Sequence, residues 1–309
     1  MSMALVGCTG FVGGNIAAQH PFDALYHSTN ITSAHGTKPD LLIFAGLPAA
    51  KYLANENKAA DMALCKSAFD NITAIGAKRV VLISTVDVYK LPLAVDENTI
   101  PDAAEPYGAN RAWLESEISK LDNSLIIRLP GLFGRGLKKN FIFDMIELVP
   151  AMLKSDKYNE LSCQSALIAP AYTKSDNGFY KLNPLSESEK AELKSFFANN
   201  DFNAMSFTDS RSEYQFYDLS CIWHDITWAL AANLSIVNFS TAPVSAGEIY
   251  AQLTHGASFV NELNRPFAKY DMRSKYAALF GGENGYLYTK QDTITFLKDF
   301  INCCGGLNL

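Results

Sequence analysis

The fold is decided near the start of the chain by the stretch MALVGCTGFVGG, residues 3–14. Met3–Val6 is a short apolar run that predicts a strand, and a helix is expected after the last glycines. Gly7, Gly10 and Gly13 therefore fall in a tight connection between the two elements. A residue without Cβ is favoured at such a connection for three reasons. It allows a sharp turn, a close approach of the backbone to a pyrophosphate, and close packing of the helix on the strand. The stretch predicts a dinucleotide-binding turn, and the alternative is a tight turn with no ligand.

Apolar runs and helical stretches alternate through the first half of the chain. The predicted strands after the first are Ala24–His27, Asp40–Gly46, Arg79–Thr85 and Leu125–Leu129. Helices are predicted up to about His20, at Asn55–Ile75 and at Tyr107–Leu121. Continuously apolar strands that alternate with helices are typical of a parallel sheet covered on both faces. We therefore predict an α/β fold, with a Rossmann-type doubly wound parallel sheet in a dinucleotide-binding domain of residues 1–150.

The second half of the chain, residues 151–309, differs in character from the first. Residues 151–215 are more polar and less regular, and Ser186 with Glu189 forms a capping-box pattern at the start of a helix. Further helices are predicted at Ile222–Leu234, Ala246–Leu253 and Thr289–Ile301. This half predicts a smaller α+β lobe that binds substrate, from which segments can return to the first domain.

Composition and charge argue against several classes of protein. The 309 residues carry a net charge of −6, whereas a nucleic-acid-binding surface is usually basic. The apolar runs are too short to span a bilayer, and the apolar start lacks the basic lead of a signal peptide. The six cysteines form no CxxC pair. We therefore expect a cytoplasmic protein with reduced thiols, no metal site, and neither a membrane nor a nucleic-acid partner.

The segment GCTGFVG, residues 7–13, resembles the glycine motif of the extended short-chain dehydrogenases/reductases, the nucleotide-sugar epimerase and dehydratase family. The resemblance implies a Rossmann domain that binds NAD or NADP at this turn. The cofactor-binding residues of the turn are then Gly7, Thr9, Gly10, Phe11, Val12 and Gly13. Ala45 and Gly46 resemble the family's pair of small residues beside the cofactor. Lys51 is expected to lie in solvent, with contact to a phosphate or the substrate as the alternative.

The residues that select between NAD and NADP leave the choice open. An acidic residue about 20 positions after the glycine turn binds the ribose 2′-hydroxyl of NAD, and an arginine there favours NADP. This sequence has His27, Ser28, Thr29 and Asn30 in that region. Neutral side chains such as Ser28 and Asn30 can form hydrogen bonds with either form of the ribose, so both are candidate cofactor-binding residues and neither cofactor is excluded.

Tyr107 and Arg111 stand at the positions of the family's Tyr-x-x-x-Lys motif. A spacing of four places both side chains on one helical face. The resemblance implies that Tyr107 is the general acid/base, and that the neighbouring cation lowers its pKa and holds the nicotinamide ribose. Arg111 replaces the lysine, so it supplies charge and hydrogen bonds but does not share a proton. For an isolated pair, the alternative is an exposed tyrosine and arginine on a helix.

The segment STVDVY, residues 84–89, resembles the family's strand-end Ser-Ser-x-x-Val-Tyr segment. The resemblance implies that Thr85 is the catalytic hydroxyl, with Ser84 as the alternative. A hydroxyl there can donate to a substrate oxygen that gains charge. Asn140 lies where the family often places an asparagine near the diphosphate of the substrate. Arg211 is a candidate anchor for a substrate phosphate, and a surface arginine is the alternative.

These motifs predict an NAD(P)-dependent oxidoreductase, epimerase or dehydratase that acts on a nucleotide-sugar-like small molecule by hydride transfer. The substrate class comes from the resemblance alone. The rival hypothesis is a non-catalytic regulator or scaffold that binds a nicotinamide dinucleotide, and the arginine in place of the lysine is the feature that supports it. The resemblance also implies a homodimer formed through the helices predicted at Asn55–Ile75 and Tyr107–Leu121.

Overall fold

The chain forms two compact units, which we describe from a computed structural model of residues 1–307. The first unit comprises residues 1–137, 213–244 and 268–297. The second unit comprises residues 138–212, 245–267 and those from 298 on. The chain therefore leaves the first unit and returns to it twice.

The bounds of the strands and helices follow in chain order. The strands are Met3–Val6 (β1), Ala24–Tyr26 (β2), Leu41–Phe44 (β3), Val80–Thr85 (β4), Leu93–Val95 (β5), Ser124–Leu129 (β6), Gly131–Phe133 (β7), Met152–Leu153 (β8), Tyr172–Lys174 (β9), Tyr180–Leu182 (β10), Glu213–Tyr214 (β11), Phe216–Asp218 (β12), Ile236–Asn238 (β13), Val244–Ser245 (β14) and Asp271–Met272 (β15). The α-helices are Phe11–Gln19 (α1), Lys51–Glu56 (α2), Lys58–Ile75 (α3), Pro106–Ile118 (α4), Phe141–Glu147 (α5), Ser155–Gln164 (α6), Ile168–Ala171 (α7), Glu187–Ala198 (α8), Ile222–Ala231 (α9), Ala246–Leu253 (α10) and Lys290–Cys303 (α11). Within residues 1–307, none of the helices combines the length and the apolar character needed to cross a membrane.

Six strands within residues 1–307 form one parallel sheet, in the order β2, β1, β3, β4, β6, β13. Both faces of the sheet are covered: Leu5 and Ile43 belong to one apolar core cluster, whereas Val6 and Leu42 belong to another. The predicted α/β fold with a Rossmann-type doubly wound sheet is confirmed. The strand order changes direction at β1 and β3, and in sheets of this kind ligands bind outside the carboxyl ends of the strands at such a point.

The predicted helix Asn55–Ile75 is wrong at its start, because the chain forms two helices, α2 and α3, that meet at Asn57. Asn57 leaves helical geometry at φ −127°, and its side chain accepts a hydrogen bond from the N–H of Ala60. An asparagine that caps a new helix in this way competes with the continuation of the old one. At its other end α3 is closed by Gly76, which has a left-handed φ of 72°.

The second unit contains a small antiparallel sheet in the order β8, β10, β9. The capping box predicted for this half of the chain is confirmed. The Ser186 side chain accepts a hydrogen bond from the N–H of Glu189, and the Glu189 carboxylate accepts one from the N–H of Ser186 at 2.8 Å. Two free donors at the helix end are thereby satisfied, which fixes the start of α8.

Close backbone contacts build the glycine turn between β1 and α1. Gly7 has a positive φ of 90°, and a Cβ on it would overlap the carbonyl group of Ala45 beyond β3. A Cβ on Gly13 would overlap the carbonyl oxygen of Gly7. These two glycines therefore let α1 and the end of β3 approach the end of β1. A Cβ on Gly14, by contrast, would meet the carbonyl oxygen of Cys8 at 3.4 Å, which is an ordinary contact.

We predict that Gly13→Ala lowers the free energy of unfolding, because the added methyl group forces α1 away from the turn, and overpacking of this kind costs about 1–3 kcal/mol. Gly14→Ala, at the next position of the same helix, is the matched control. It should raise the free energy of unfolding by about 0.5–1 kcal/mol through helix propensity. Urea denaturation followed by circular dichroism measures both variants. Equal stability of the two would contradict the close contact at Gly13.

Candidate active site

The turn after β1 presents the N-terminal end of a helix to a ligand. Helix α1 has Gly10 as its N-cap, and its first turn, which the structure describes in full, has neither a capping side chain nor an acidic residue. Thr9 and Gly10 are exposed, while the side chains of Phe11 and Val12 pack against the apolar core. The free N–H groups of a first helical turn and its positive dipole end favour an anion. The turn therefore has the form that the pyrophosphate of a dinucleotide requires.

Ala45 and Gly46, the small residues after β3, lie beside the glycine turn. The N–H of Ala45 donates to the carbonyl oxygen of Val6 at 2.9 Å, and the Ala45 carbonyl is the group that a Cβ on Gly7 would overlap. Gly46 is exposed. The structure thus brings together, at the carboxyl ends of neighbouring strands, the two segments that the sequence indicated as cofactor contacts.

Ser28 and Asn30 lie in the turn after β2. The Asn30 Oδ1 accepts a hydrogen bond from the N–H of His27 at 2.7 Å, and the N–H of Asn30 donates to the His27 carbonyl oxygen at 3.1 Å. The Asn30 side chain therefore shapes this turn, as asparagine often does. Ser28 lies exposed on the same turn, so its hydroxyl is presented at the surface.

The two hydroxyls at the end of β4 meet different surroundings. Ser84 is buried, and its hydroxyl donates to Oε1 of Glu115 at 2.5 Å. Thr85 is half-buried, and its Oγ1 accepts a hydrogen bond from the N–H of Asp87 at 3.2 Å and lies 3.5 Å from Oδ2 of the same residue. Because the Ser84 proton is committed to an interior carboxylate, the geometry favours Thr85 over Ser84 as the hydroxyl that meets a substrate.

Gly108 allows α4 to approach the segment that follows β4. A Cβ on Gly108 would overlap the carbonyl oxygen of Asp87. The preceding residue, Tyr107, donates its backbone N–H to Oδ1 of Asn55 at 2.9 Å. This close packing carries the tyrosine toward the segment of Thr85. Sequence reasoning missed the role of Gly108, although a glycine inside a predicted helix is a signal of close packing.

Tyr107 is buried, with 7% of its surface exposed, and the guanidinium carbon of Arg111 lies 4.5 Å from the centre of its ring. Burial raises the pKa of Tyr107 above its ordinary value of 10.0, and the nearby charges act in both directions. Arg111 and Lys51 lower this pKa, whereas Asp87 and Asp61 raise it. The net effect is a raised pKa, so the free protein holds Tyr107 as a neutral phenol at neutral pH.

Arg111 is almost completely buried, with 3% of its surface exposed. Its Nη1 and Nη2 form a fork on the carboxylate of Asp61, at 3.1 Å and 3.2 Å. Nη2 also donates to the carbonyl oxygen of Pro48, and Nη1 to Sγ of Cys65, both at 2.9 Å. Arg111 and Tyr107 are both buried on α4, so they are not an exposed pair. The guanidinium instead ties α4 to α3 and to the loop after β3.

Lys51 is exposed, as the sequence predicted, but its ammonium group is also paired with a carboxylate. Its Nζ lies 2.6 Å from Oδ1 of Asp87, with 46% of the lysine side chain and 23% of the aspartate side chain exposed. Burial alone lowers the pKa of Lys51, but the hydrogen bond and charge of Asp87 outweigh it, so this pKa is raised above its ordinary value. Tyr270, from a returning segment, interacts electrostatically with both residues. Because 36 positions separate Lys51 from Asp87, their spacing gives no signal of the pair.

Asn140 and Arg211 lie in the second unit, where both have local partners. The Asn140 Oδ1 accepts a hydrogen bond from the N–H of Phe143 at 3.1 Å and thereby caps α5. Arg211 donates from Nε and Nη2 to Asp209 at 2.9 Å and 2.8 Å, and from Nη1 to Glu262 at 2.9 Å. Contact of either residue with a substrate stays a prediction.

Comparison with known proteins identifies relatives in fold. A scan against protein-family models found no match, and a search of the curated proteins found none either. Among solved structures, dTDP-4-dehydrorhamnose reductase from Yersinia enterocolitica is similar at a TM-score of 0.64 and 14% identity, over 97% of this chain and 98% of that one. The reductase of the same name from Bacillus anthracis, in complex with NADP, is similar at 0.62 and 15% identity, over 97% and 98% of the chains. The Bordetella bronchiseptica enzyme WbmG, in complex with NAD and UDP, is similar at 0.60 and 15% identity, over 98% and 94%.

These similarities cover nearly the whole chain at low sequence identity, so they establish a shared fold. This fold agrees with the one that the resemblance of the glycine and tyrosine motifs implies. The shared fold alone does not determine which ligand this chain binds, because unrelated functions can occupy one fold.

We predict that Asp61→Leu lowers the free energy of unfolding by about 3–5 kcal/mol, because it leaves the guanidinium of Arg111 buried without its counter-charge. Replacing both partners, as Asp61→Leu with Arg111→Met, should recover most of this loss, since apolar residues often replace a buried ion pair at little cost. Urea denaturation of the two variants and the wild type measures the difference. A double variant no more stable than Asp61→Leu alone would show that the ion pair does not hold this region.

Proposed function

We propose that this protein is an NAD(P)-dependent oxidoreductase of the short-chain dehydrogenase type, acting on a nucleotide-sugar-like substrate by hydride transfer. The observation that carries the proposal is that one unit holds both a glycine turn suited to a pyrophosphate and a buried tyrosine, Tyr107, on a helix that packs against β4, the strand that ends at Thr85. The glycine turn follows β1 and Thr85 ends β4, and the carboxyl ends of these two strands lie with that of β3 on one edge of the sheet. The solved structures of similar fold that contain NADP, NAD and UDP support the cofactor and the substrate class.

Within the glycine turn, residues 7–13, the backbone N–H groups of the first turn of α1 bind the pyrophosphate. The N–H groups of Gly7, Cys8 and Gly10 instead donate to carbonyl oxygens that shape the turn. Ala45 and Gly46 lie beside the cofactor, and Ser28 and Asn30 lie on the turn nearest the adenosine ribose. When bound, the dinucleotide supplies the hydride chemistry. The neutral turn after β2 is compatible with NAD and with NADP.

Tyr107 moves the proton in this proposal. When a substrate carbonyl is reduced, the phenolic O–H of Tyr107 donates its proton to the carbonyl oxygen, and in the reverse direction the phenolate takes it back. The hydroxyl of Thr85 donates a hydrogen bond to the same oxygen as negative charge develops there. The N–H of Asp87 fixes the orientation of that hydroxyl. A raised pKa keeps Tyr107 protonated, as a proton donor requires. For Tyr107 to act as the base in the reverse direction, nearby positive charge has to stabilise its phenolate.

Arg111 acts on Tyr107 by its position and charge. Its guanidinium lies over the tyrosine ring and is held in place by Asp61, Cys65 and Pro48. A fork engaged by these three partners leaves little capacity for ribose hydroxyls. Ribose binding, which the family resemblance implied for Arg111, is therefore the assignment that these contacts support least.

The homodimer that the resemblance implies is also part of the proposal. Its interface would involve α3 and α4, which contact each other within the first unit. Light scattering coupled to size-exclusion chromatography tests it, and a monomeric mass at high protein concentration would overturn it.

We expect one cofactor pair, either NAD+ with NADH or NADP+ with NADPH, to stabilise the protein against thermal unfolding. A ligand at about 100 times its Kd stabilises the native state by roughly 2.7 kcal/mol. The four cofactors are tested one by one, after removal of any that co-purifies. No shift of Tm with any of them would overturn the assignment of the glycine turn to a dinucleotide.

We expect Tyr107→Phe to lower kcat by about 10²–10⁴-fold, the contribution of a positioned acid/base, while stabilisation by the cofactor persists. Thr85→Val should lower kcat by about 10²–10³-fold, because the hydrogen bond to the substrate oxygen is lost. The measurement is cofactor absorbance with a panel of UDP-, dTDP- and GDP-hexoses, and Ser84→Ala is the matched control for the neighbouring hydroxyl. Full activity of Tyr107→Phe would contradict its role. Cofactor binding without turnover of any panel member is the outcome that a non-catalytic regulator would give.

A further inference from the structure

We propose that Lys51 supplies a mobile positive charge beside Tyr107, the role that the motif lysine has in the family, and that Asp87 holds it there in the free protein. Arg111 is then a fixed cation that positions the tyrosine. This inference rests on the proposed function, because it assigns a further residue to the same site. Lys51 acts through Tyr107, so it is a positioning residue rather than a catalytic one.

The contacts of Arg111 are those of a structural group. Its guanidinium is buried and is held by Asp61, Cys65 and Pro48 at 2.9–3.2 Å. A guanidinium held in this way does not move toward a ligand, and it stays protonated in proteins. With the charges of Arg111, Lys51, Asp61 and Asp87 all in place, the pKa of Tyr107 is still raised in the free protein. Because Arg111 is fixed, a shift of positive charge toward the phenolate during turnover requires a second cation that can move.

Lys51 has the geometry of that second cation. It is the first residue of α2, and its Nζ lies 2.6 Å from Oδ1 of Asp87. Its side chain is 46% exposed, so the ammonium group has room to move and to meet a ligand. The backbone N–H of the same Asp87 donates to the hydroxyl of Thr85. The carbonyl oxygen of Asp87 lies against Gly108, the residue after Tyr107, and α2 packs on α4. One aspartate therefore joins the ammonium group both to the strand-end hydroxyl and to the helix that carries Tyr107.

Charged groups from four parts of the described chain act on Tyr107. Arg111 from α4 and Asp61 from α3 form the buried, fixed pair. Lys51 from α2 and Asp87 from the segment after β4 form the partly exposed pair. Within each pair the cation lowers the pKa of Tyr107 and the carboxylate raises it. Because the second pair is the exposed one, it is the pair whose balance a bound ligand can change.

The proton balance of the step needs no further reactant. The phenol of Tyr107 gives its proton to the substrate oxygen, and the phenolate that remains is stabilised by the ammonium charge of Lys51. Lys51 keeps its own proton, since the contact with Asp87 raises its pKa. In the reverse direction the phenolate takes the proton from the substrate hydroxyl, and the neutral phenol is restored.

The test is the titration of the Tyr107 phenol in the protein without cofactor or substrate. Tyrosine labelled with ¹³C at Cζ reports it by NMR, and Tyr107→Phe assigns the signal. We expect Lys51→Met to move this titration to higher pH, and Lys51→Arg, which keeps the charge, to return it toward the wild-type position. Lys66→Met, which removes an exposed lysine of α3, is the matched control and should leave the titration unchanged.

An unchanged Tyr107 titration in a folded Lys51→Met variant would overturn the inference. In turnover, Lys51→Met should lower kcat on the order of 10-fold, a part of the acid/base contribution, with the pH–rate profile displaced to higher pH and restored by Lys51→Arg. A loss that Lys51→Arg does not reverse would also overturn it. Because the NMR titration requires no ligand, it separates the two proposals. A displaced titration in a protein that binds none of the four dinucleotides would support the coupling of Lys51 to Tyr107 and overturn the proposed function.

Discussion

The buried ion pair between Arg111 and Asp61 is the interaction on which the arrangement of the site depends. A guanidinium removed from water needs a counter-charge and hydrogen-bond acceptors for its donors. Asp61 and Cys65 supply them from α3, and Pro48 supplies one from the loop after β3. Helices α3 and α4 and this loop are thereby held in one arrangement. This arrangement also positions Tyr107, because the tyrosine ring lies against the guanidinium of Arg111.

A second buried ion pair joins α4 to the sheet and separates the two strand-end hydroxyls. Arg128 on β6 pairs with Glu115 on α4 at 2.6 Å, and Glu115 also accepts the hydrogen bond from Ser84. Successive residues of a strand point to opposite faces of the sheet. With Ser84 bonded to the interior network, Thr85 is the hydroxyl that stays partly exposed. The charges that bind the helix to the sheet therefore also decide which hydroxyl remains accessible.

The sheet and the glycine turn could be predicted from the sequence because they depend on local sterics. Apolar runs set the strands, and the contact that requires Gly13 lies within one strand–turn–helix unit. The pairing of the charges could not be predicted in the same way. Asp61 is 50 positions from Arg111, and Asp87 is 36 positions from Lys51. Residues so far apart in the sequence come into contact only when the chain folds. A motif therefore determines which residues share a helix face, but not which residues they pair with.

The proposed pairing of a fixed cation, Arg111, with a mobile one, Lys51, accounts for an arginine at the position where the family that the motifs resemble has a lysine. A single lysine four residues after the tyrosine has to be both held in place and able to move. The fork of Arg111 matches the two oxygens of Asp61, a geometry that an ammonium group cannot reproduce. Arg111 is therefore held more firmly than a lysine would be, but it does not move toward a ligand. A half-exposed Lys51 on the carboxylate of Asp87 has the complementary properties, so the replacement at Arg111 is consistent with acid/base chemistry redistributed over two residues.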